Sequence, residues 1–173
     1  MKKFLSVLLV AFLCAGAWSC MKNDDEQVDN TNAMDAEFMQ KATAGNKAEI
    51  AAGAVAVNRA MMDSVKFFGR MMVDDHSMSQ GILDSIAATL SVNLPAGPDS
   101  MHMMQLQQLS MLEGHVFDSV YLSMQANDHQ AAIDLYNREA AQGAHYGLRQ
   151  YAEKQLPELH KHYDMLIRLS HVR

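Results

Sequence analysis

Cysteine is almost missing from this chain. Its 173 residues hold two, Cys14 and Cys20, and both fall in the first 20. The remaining body can form neither a disulfide framework nor a zinc-thiolate site. Proline occurs three times and glycine nine times, so few breaks are forced on the backbone. Basic charge is also short, with 14 Lys and Arg against 20 Asp and Glu and a net charge of −6. That balance gives nucleic acid and anionic lipid surfaces no electrostatic reason to bind. The chain has no phosphate loop, dinucleotide fingerprint or activated serine or cysteine arrangement. It therefore names no reaction, and an enzyme ranks behind a binding or structural protein.

What is present begins with a leader. "MKKFLSVLLVAFLCAGAWSC" carries two lysines, a short apolar run and small residues ending at Cys20. This is the pattern of a secretory signal, too short for a stable membrane span. Ala17-Trp18-Ser19-Cys20 resembles a bacterial lipobox, so residues 1–19 are expected to be removed and Cys20 lipidated. Losing Lys2 and Lys3 leaves 12 basic against 20 acidic residues, a net charge of −8. Attachment to membrane would then rest on the lipid. Residues 20–34 read as the lipidated cysteine and a polar, acidic tether with too little apolar surface to fold. The expected location is the cell envelope, anchored at the outer membrane on its periplasmic or surface face. No protein partner is legible.

Residues 35–173 have the size of one domain. Apolar residues recur there at helical spacing and no useful strand alternation appears. The pattern predicts helices at about 35–60, 64–90, 99–111, 114–142 and 145–170, with Asp63 and Asp99 as N-caps. Four long antiparallel helices and a short one make a helical bundle.

At 100° per residue, Glu49 falls within the small-residue stripe Phe38, Ala42, Ala52 and Ala56, and His76 within Val65, Phe68, Met72 and Leu83. His162 sits among Tyr151, Leu159 and Leu166. On the fourth long segment the stripe reads Phe117, Val120, Tyr121, Met124, Ala131 and Leu135, with Asp128 inside it and His129 to one side. Asp75 lies at a stripe edge, Asp74 points away, and His160 and Pro157 face outward. Glu49 and His76 flank the first hairpin loop at similar distances, as His129 and His162 flank the last, so four inward polar groups come near one height. "MMVDDHSMSQGIL" and "MQANDHQAAIDLY" share a methionine, an Asp-His pair and two apolar residues in register, as a duplicated helix pair would.

Taken in order, several stretches resemble one family: Phe38 and Glu49, "VKFFGRMMVDDHS" at 65–77, "NLP" at 93–95, "GHVFDSVY" at 114–121, Asp128-His129 and "LPELHKH" at 156–162. It is called domain of unknown function 4142, a set of exported bacterial proteins. The resemblance implies an all-α, ferritin-like antiparallel four-helix bundle with one additional short helix. It assigns no activity.

Di-iron relatives of that fold carry Glu-x-x-His on two helices, and no glutamate here has a histidine three residues later. A single transition-metal ion remains open, held by Glu49, His76, His129 and His162, with Asp75 and Asp128 as outer acceptors that orient the imidazoles. The same groups could instead satisfy one another and fix the register of the bundle without a ligand. The 15 methionines form a copper-like palette with histidine, yet Met101, Met104 and Met111 have core spacing and are expected to pack. His102, His115, His145 and His171 are expected to be solvated.

Overall fold

The computed structural model describes residues 30–171. The leader, Cys20 and most of the tether lie outside these residues. Five helices follow in order: α1 Ala33–Arg59, α2 Asp63–Thr89, α3 Ser100–Leu109, α4 Gly114–Gln142 and α5 Tyr146–Ser170. No strand occurs among the described residues.

Local chemistry sets the helix ends. Asn32 accepts hydrogen bonds from the N–H groups of Met34 and Asp35, while the Asp35 carboxylate accepts from the Asn32 N–H at 2.6 Å. This reciprocal box starts α1 at Ala33, ahead of the expected residue 35. Asp99 caps α3 through the His102 N–H at 2.9 Å. Asp63 does not cap: Met62 holds that position and Asp63 is the first helical residue, where a carboxylate still favours the helix dipole. α5 runs unbroken through Pro157, which is exposed.

Helices α1 and α2 form one hairpin, and α4 and α5 the other. Two carboxylates fix how the hairpins face each other. Asp118 in the first turns of α4 accepts the N–H groups of Met61 and Met62 in the α1–α2 turn, both at 2.9 Å. Asp35 at the start of α1 accepts those of Ala144 and His145 in the α4–α5 turn, at 3.0 and 3.2 Å. Helix α4 thus runs alongside α2 in direction and antiparallel to α1 and α5. The connection from α2 to α4 must travel the length of the bundle, and α3 lies in it. One long crossover is the ferritin-like connectivity.

Gly53 and Gly69 let α1 and α2 touch. A Cβ on Gly53 would stand 2.6 Å from the Gly69 carbonyl oxygen, and one on Gly69 would stand 2.8 Å from the Gly53 oxygen.

The apolar interior divides in two. One cluster gathers Phe38, Leu83, Ile133, Tyr136, Leu148 and Tyr151 at the end of the α4–α5 turn. The other gathers Val65, Phe68, Met72, Phe117, Tyr121 and Leu166 at the end of the α1–α2 turn. Between them lies a buried polar layer containing Asn46, Glu49, His76, Gln80, Gln125, His129 and His162.

Candidate metal centre

Each histidine of that layer is delivered by a different long helix. His76 from α2, His129 from α4 and His162 from α5 are 5%, 1% and 1% exposed. Their ring centroids are 5.4 to 5.7 Å apart, and one ligand nitrogen from each lies within 4.8 Å of the others. Phe68 stands below them, its ring 6.4 Å from His129 and 6.3 Å from His162.

The remaining ring nitrogens point outward to acceptors. His76 Nδ1 is 3.0 Å from Asn46 Oδ1, whose amide nitrogen donates to Gln80 Oε1 at 3.2 Å and so fixes the amide's orientation. His129 Nδ1 is 3.0 Å from the Gln125 carbonyl oxygen and 3.4 Å from Glu49 Oε1. His162 Nε2 is 3.0 Å from Asp75 Oδ2 and 3.3 Å from Glu158 Oε1. A carbonyl or carboxylate oxygen can only accept, so each outer nitrogen is assigned the proton. Three bare nitrogens then face inward: His76 Nε2, His129 Nε2 and His162 Nδ1.

Two consequences follow. His76 Nε2 is buried with no hydrogen-bond partner. His129 Nε2 and His162 Nδ1 are 3.3 Å apart, a contact between two lone pairs unless a cation lies between them. A proton is disfavoured there. Burial above all, then the His162 ring, holds His129 down to about 3. Burial likewise pushes His76 well below the usual range, with His129 and His162 adding to it, and burial also lowers His162. A metal ion also meets the cost of burying charge, and coordination by three imidazole nitrogens is what would offset it. Two imidazole nitrogens on a tetrahedral ion, each at about 2.0–2.1 Å, stand about 3.3–3.4 Å apart.

The expected site residues divide. The structure brings His76, His129 and His162 together and sets Asp75 on His162. Glu49 stays outside the converging group, on the outer side of His129, with Oε2 buried and unpaired. Burial, with Asp128 adding to it, raises its carboxyl well above the usual range. Asp128 is half-buried and turned toward His102 and Gln105 of α3, so it orients none of the three imidazoles. Sequence reasoning passed over Asn46 and Gln125. Asn46, rather than Glu49, is as far before Met61 as His76 is after it, and Gln125 lies one turn before His129 on the same face.

Three further expectations change. The buried face of α4 carries Phe117, Asp118, Tyr121, Leu122, Gln125 and His129, leaving Val120 and Ala131 exposed. Met101, Met104 and Met111 are 54%, 59% and 71% exposed, because α3 covers the bundle from outside and buries only Leu109. His145 is buried and accepts the Leu148 N–H at 3.1 Å, capping α5, while His102 is half-buried beside Asp99. His115 and His171 are exposed.

Two clefts reach the layer from opposite sides. One, between α2 and α5, has a volume of about 350 Å³ and is lined by Asp75, His76, Glu158 and His162 among others. The other, of about 450 Å³ between α1 and α4, lies under the start of α3 and reaches Glu49, His76 and His129.

Comparison with known proteins bears on the fold and the family. A solved structure described as a secreted DUF305 protein of Streptomyces coelicolor is similar in fold, with a TM-score of 0.67 at 11% identity over 79% of this chain and 91% of that one. No curated protein matches the chain. The model of a family described as domain of unknown function (DUF4142) matches residues 21–169, and the chain belongs to that family.

Proposed function

We propose that this protein is a cell-envelope metal-binding bundle that holds one divalent transition ion on His76, His129 and His162. The observation that carries this reading is the set of three inward bare nitrogens, each fixed by an acceptor on its far side. Acceptors of this kind set the tautomer and the direction of metal-ligating histidines. Three neutral imidazoles suit zinc, copper, iron or nickel. A fourth position would remain for water or a small ligand, which either cleft can admit. Glu49 serves as an outer acceptor for His129, beside Gln125.

The location in the reading is the outer membrane, through a lipid on Cys20. Its support is the run "AWSC" after a short apolar leader, together with the absence of any described helix long and apolar enough to cross a membrane. Replacing Cys20 by alanine is expected to release the protein into the soluble fraction; retention in membranes would refute the anchor.

A second reading treats the layer as a structural network with no ligand. It draws on Asn46, Gln80, Thr43 and Asp84, which satisfy one another without any ion. Metal analysis separates the two readings. Protein purified without metal-affinity steps and equilibrated with zinc, copper, iron or manganese is expected to retain one ion per chain. A His76→Ala, His162→Ala variant of unchanged helicity should retain none. No retained ion in the parent would leave the structural network.

A further inference from the structure

The three histidines are buried, yet one of them touches groups that are not. His162 Nε2 meets Asp75 Oδ2 at 3.0 Å and Glu158 Oε1 at 3.3 Å, and those two side chains are 34% and 40% exposed. The two carboxylate oxygens and that nitrogen lie within 4.8 Å of one another, so the two acids, rather than the protonated Nε2, can share a cation at the surface. The α2–α5 cleft is lined by both acids and also by His76 and His162. A cation there would have oxygen ligands at the mouth and imidazole nitrogens at the back, with no apolar core to cross.

The opposite cleft is differently equipped. Exposed Lys41 and Arg138 line it. Its three aspartates are engaged elsewhere: Asp99 caps α3 and pairs with His102, Asp134 accepts from Gln130, and Asp128 turns to His102 and Gln105, which leaves Glu49, buried deep beside His129, as its remaining acid. Helix α3 also lies across that side.

Building on the proposed metal site, we infer that the ion reaches it through the α2–α5 cleft, captured first between Asp75 and Glu158 and then passed along the His162 edge to the three inward nitrogens. Carboxylates at the mouth exchange water of hydration for oxygen, and the imidazoles then exchange oxygen for nitrogen, so no electron moves. Lys161 works against capture. It pairs with the same Glu158 oxygen at the rim and contributes a like charge to an arriving cation.

The test is the rate of cobalt(II) binding to the purified protein, followed by the visible bands that appear when the ion enters a nitrogen site. Glu158→Gln, which keeps an amide oxygen beside His162 while Asp75 still holds it at 3.0 Å, is expected to slow binding by about three- to tenfold and flatten the dependence on ionic strength. Lys161→Gln should accelerate binding, and Asp134→Asn, in the other cleft, should leave the rate unchanged. Unchanged rates in Glu158→Gln, or slowing in Asp134→Asn, would overturn the route. Weaker equilibrium affinity at an unchanged binding rate would also overturn it, making Glu158 a positioning residue. Failure of the parent to bind cobalt at all would refute the metal reading, and this inference with it.

Discussion

Asn46 illustrates how much a neutral side chain can decide. Its carbonyl oxygen faces His76 and its amide nitrogen is held by Gln80, so His76 has one available tautomer. Asn46→Leu removes the acceptor and is expected to weaken zinc binding by about 10–100-fold in a competition assay, with helicity retained. An unchanged affinity would show that His76 orients itself without help. His129 gives a pH signature. Its folded value of about 3 lies below the unfolded histidine value of about 6.5, so between these limits the unfolded chain binds a proton that the native chain refuses. This contribution to stability is therefore present above about pH 6.5 and is lost as pH falls toward 3. Glu139, which burial and then Asp35 push up to about 8, acts oppositely: the native state holds its proton, and stability is lost as pH rises from about 4.5 through 8. Denaturant melts of the metal-free protein and His129→Gln between pH 7 and 4 isolate the first effect. The variant should lose less stability on acidification than the parent, and parallel curves would contradict the assignment. His76 and His162 were legible because each broke an apolar stripe, whereas His129 lay to one side of the stripe drawn on its helix. Asn46 and Gln125 were not legible, since uncharged amides raise no alarm in a charge pattern and their role depends on atoms 3 Å away. Angles placed Glu49 inward, where it lies buried beside His129, but the axial match to His76 belongs to Asn46.

At the scale of the element, the close contact of α1 and α2 depends on two residues. Gly53→Ala would drive a Cβ to 2.6 Å from a backbone oxygen that cannot rotate away, so the helices must separate. Overpacking of this kind costs about 1–3 kcal/mol, measurable as a lower denaturation midpoint, and Gly45→Ala should cost nothing of the sort because its Cβ meets open space. Equal effects at both positions would remove the packing argument. Helix boundaries were readable to within two residues at every start but not always for the expected reason. Asp63 looks like a cap by residue type, yet the turn set by Met61 and Met62 on Asp118 places it inside the helix. The α4 stripe was drawn one step off. Its true face is mixed, with Asp118, Gln125, His129 and Glu139 among the buried residues, and a mixed face gives apolar periodicity little to follow. α3 failed differently. Methionines at core spacing do not ensure a core when a helix lies against the outside of a finished bundle and buries only Leu109 fully.

The whole molecule is two apolar clusters with a polar layer between, tied at each end by a carboxylate that reaches across hairpins. Asp118→Ala would strand two N–H groups of the α1–α2 turn and is expected to cost about 1–3 kcal/mol for each one left buried, shown by thermal or chemical melting. A neutral substitution would mean that water replaces the carboxylate freely. The bundle architecture was legible, because four long amphipathic segments with one wide interruption admit few arrangements, whereas the long crossover was not read from the sequence. Which faces meet was less so, as it depends on Asp35 and Asp118 binding turns more than 50 residues away in sequence. An ion bound only by the folded bundle should raise its melting temperature by mass action, and chelator should reverse the rise.

The central claim is that three imidazole nitrogens in this layer hold a metal ion, and X-ray absorption on the zinc-loaded protein tests it most directly. About one zinc per chain is expected, with a shell that includes three imidazole nitrogens at about 2.0–2.1 Å. That shell should be lost when His76 and His162 are replaced by alanine. A shell of oxygen or sulfur donors, or no stoichiometric zinc, would contradict it.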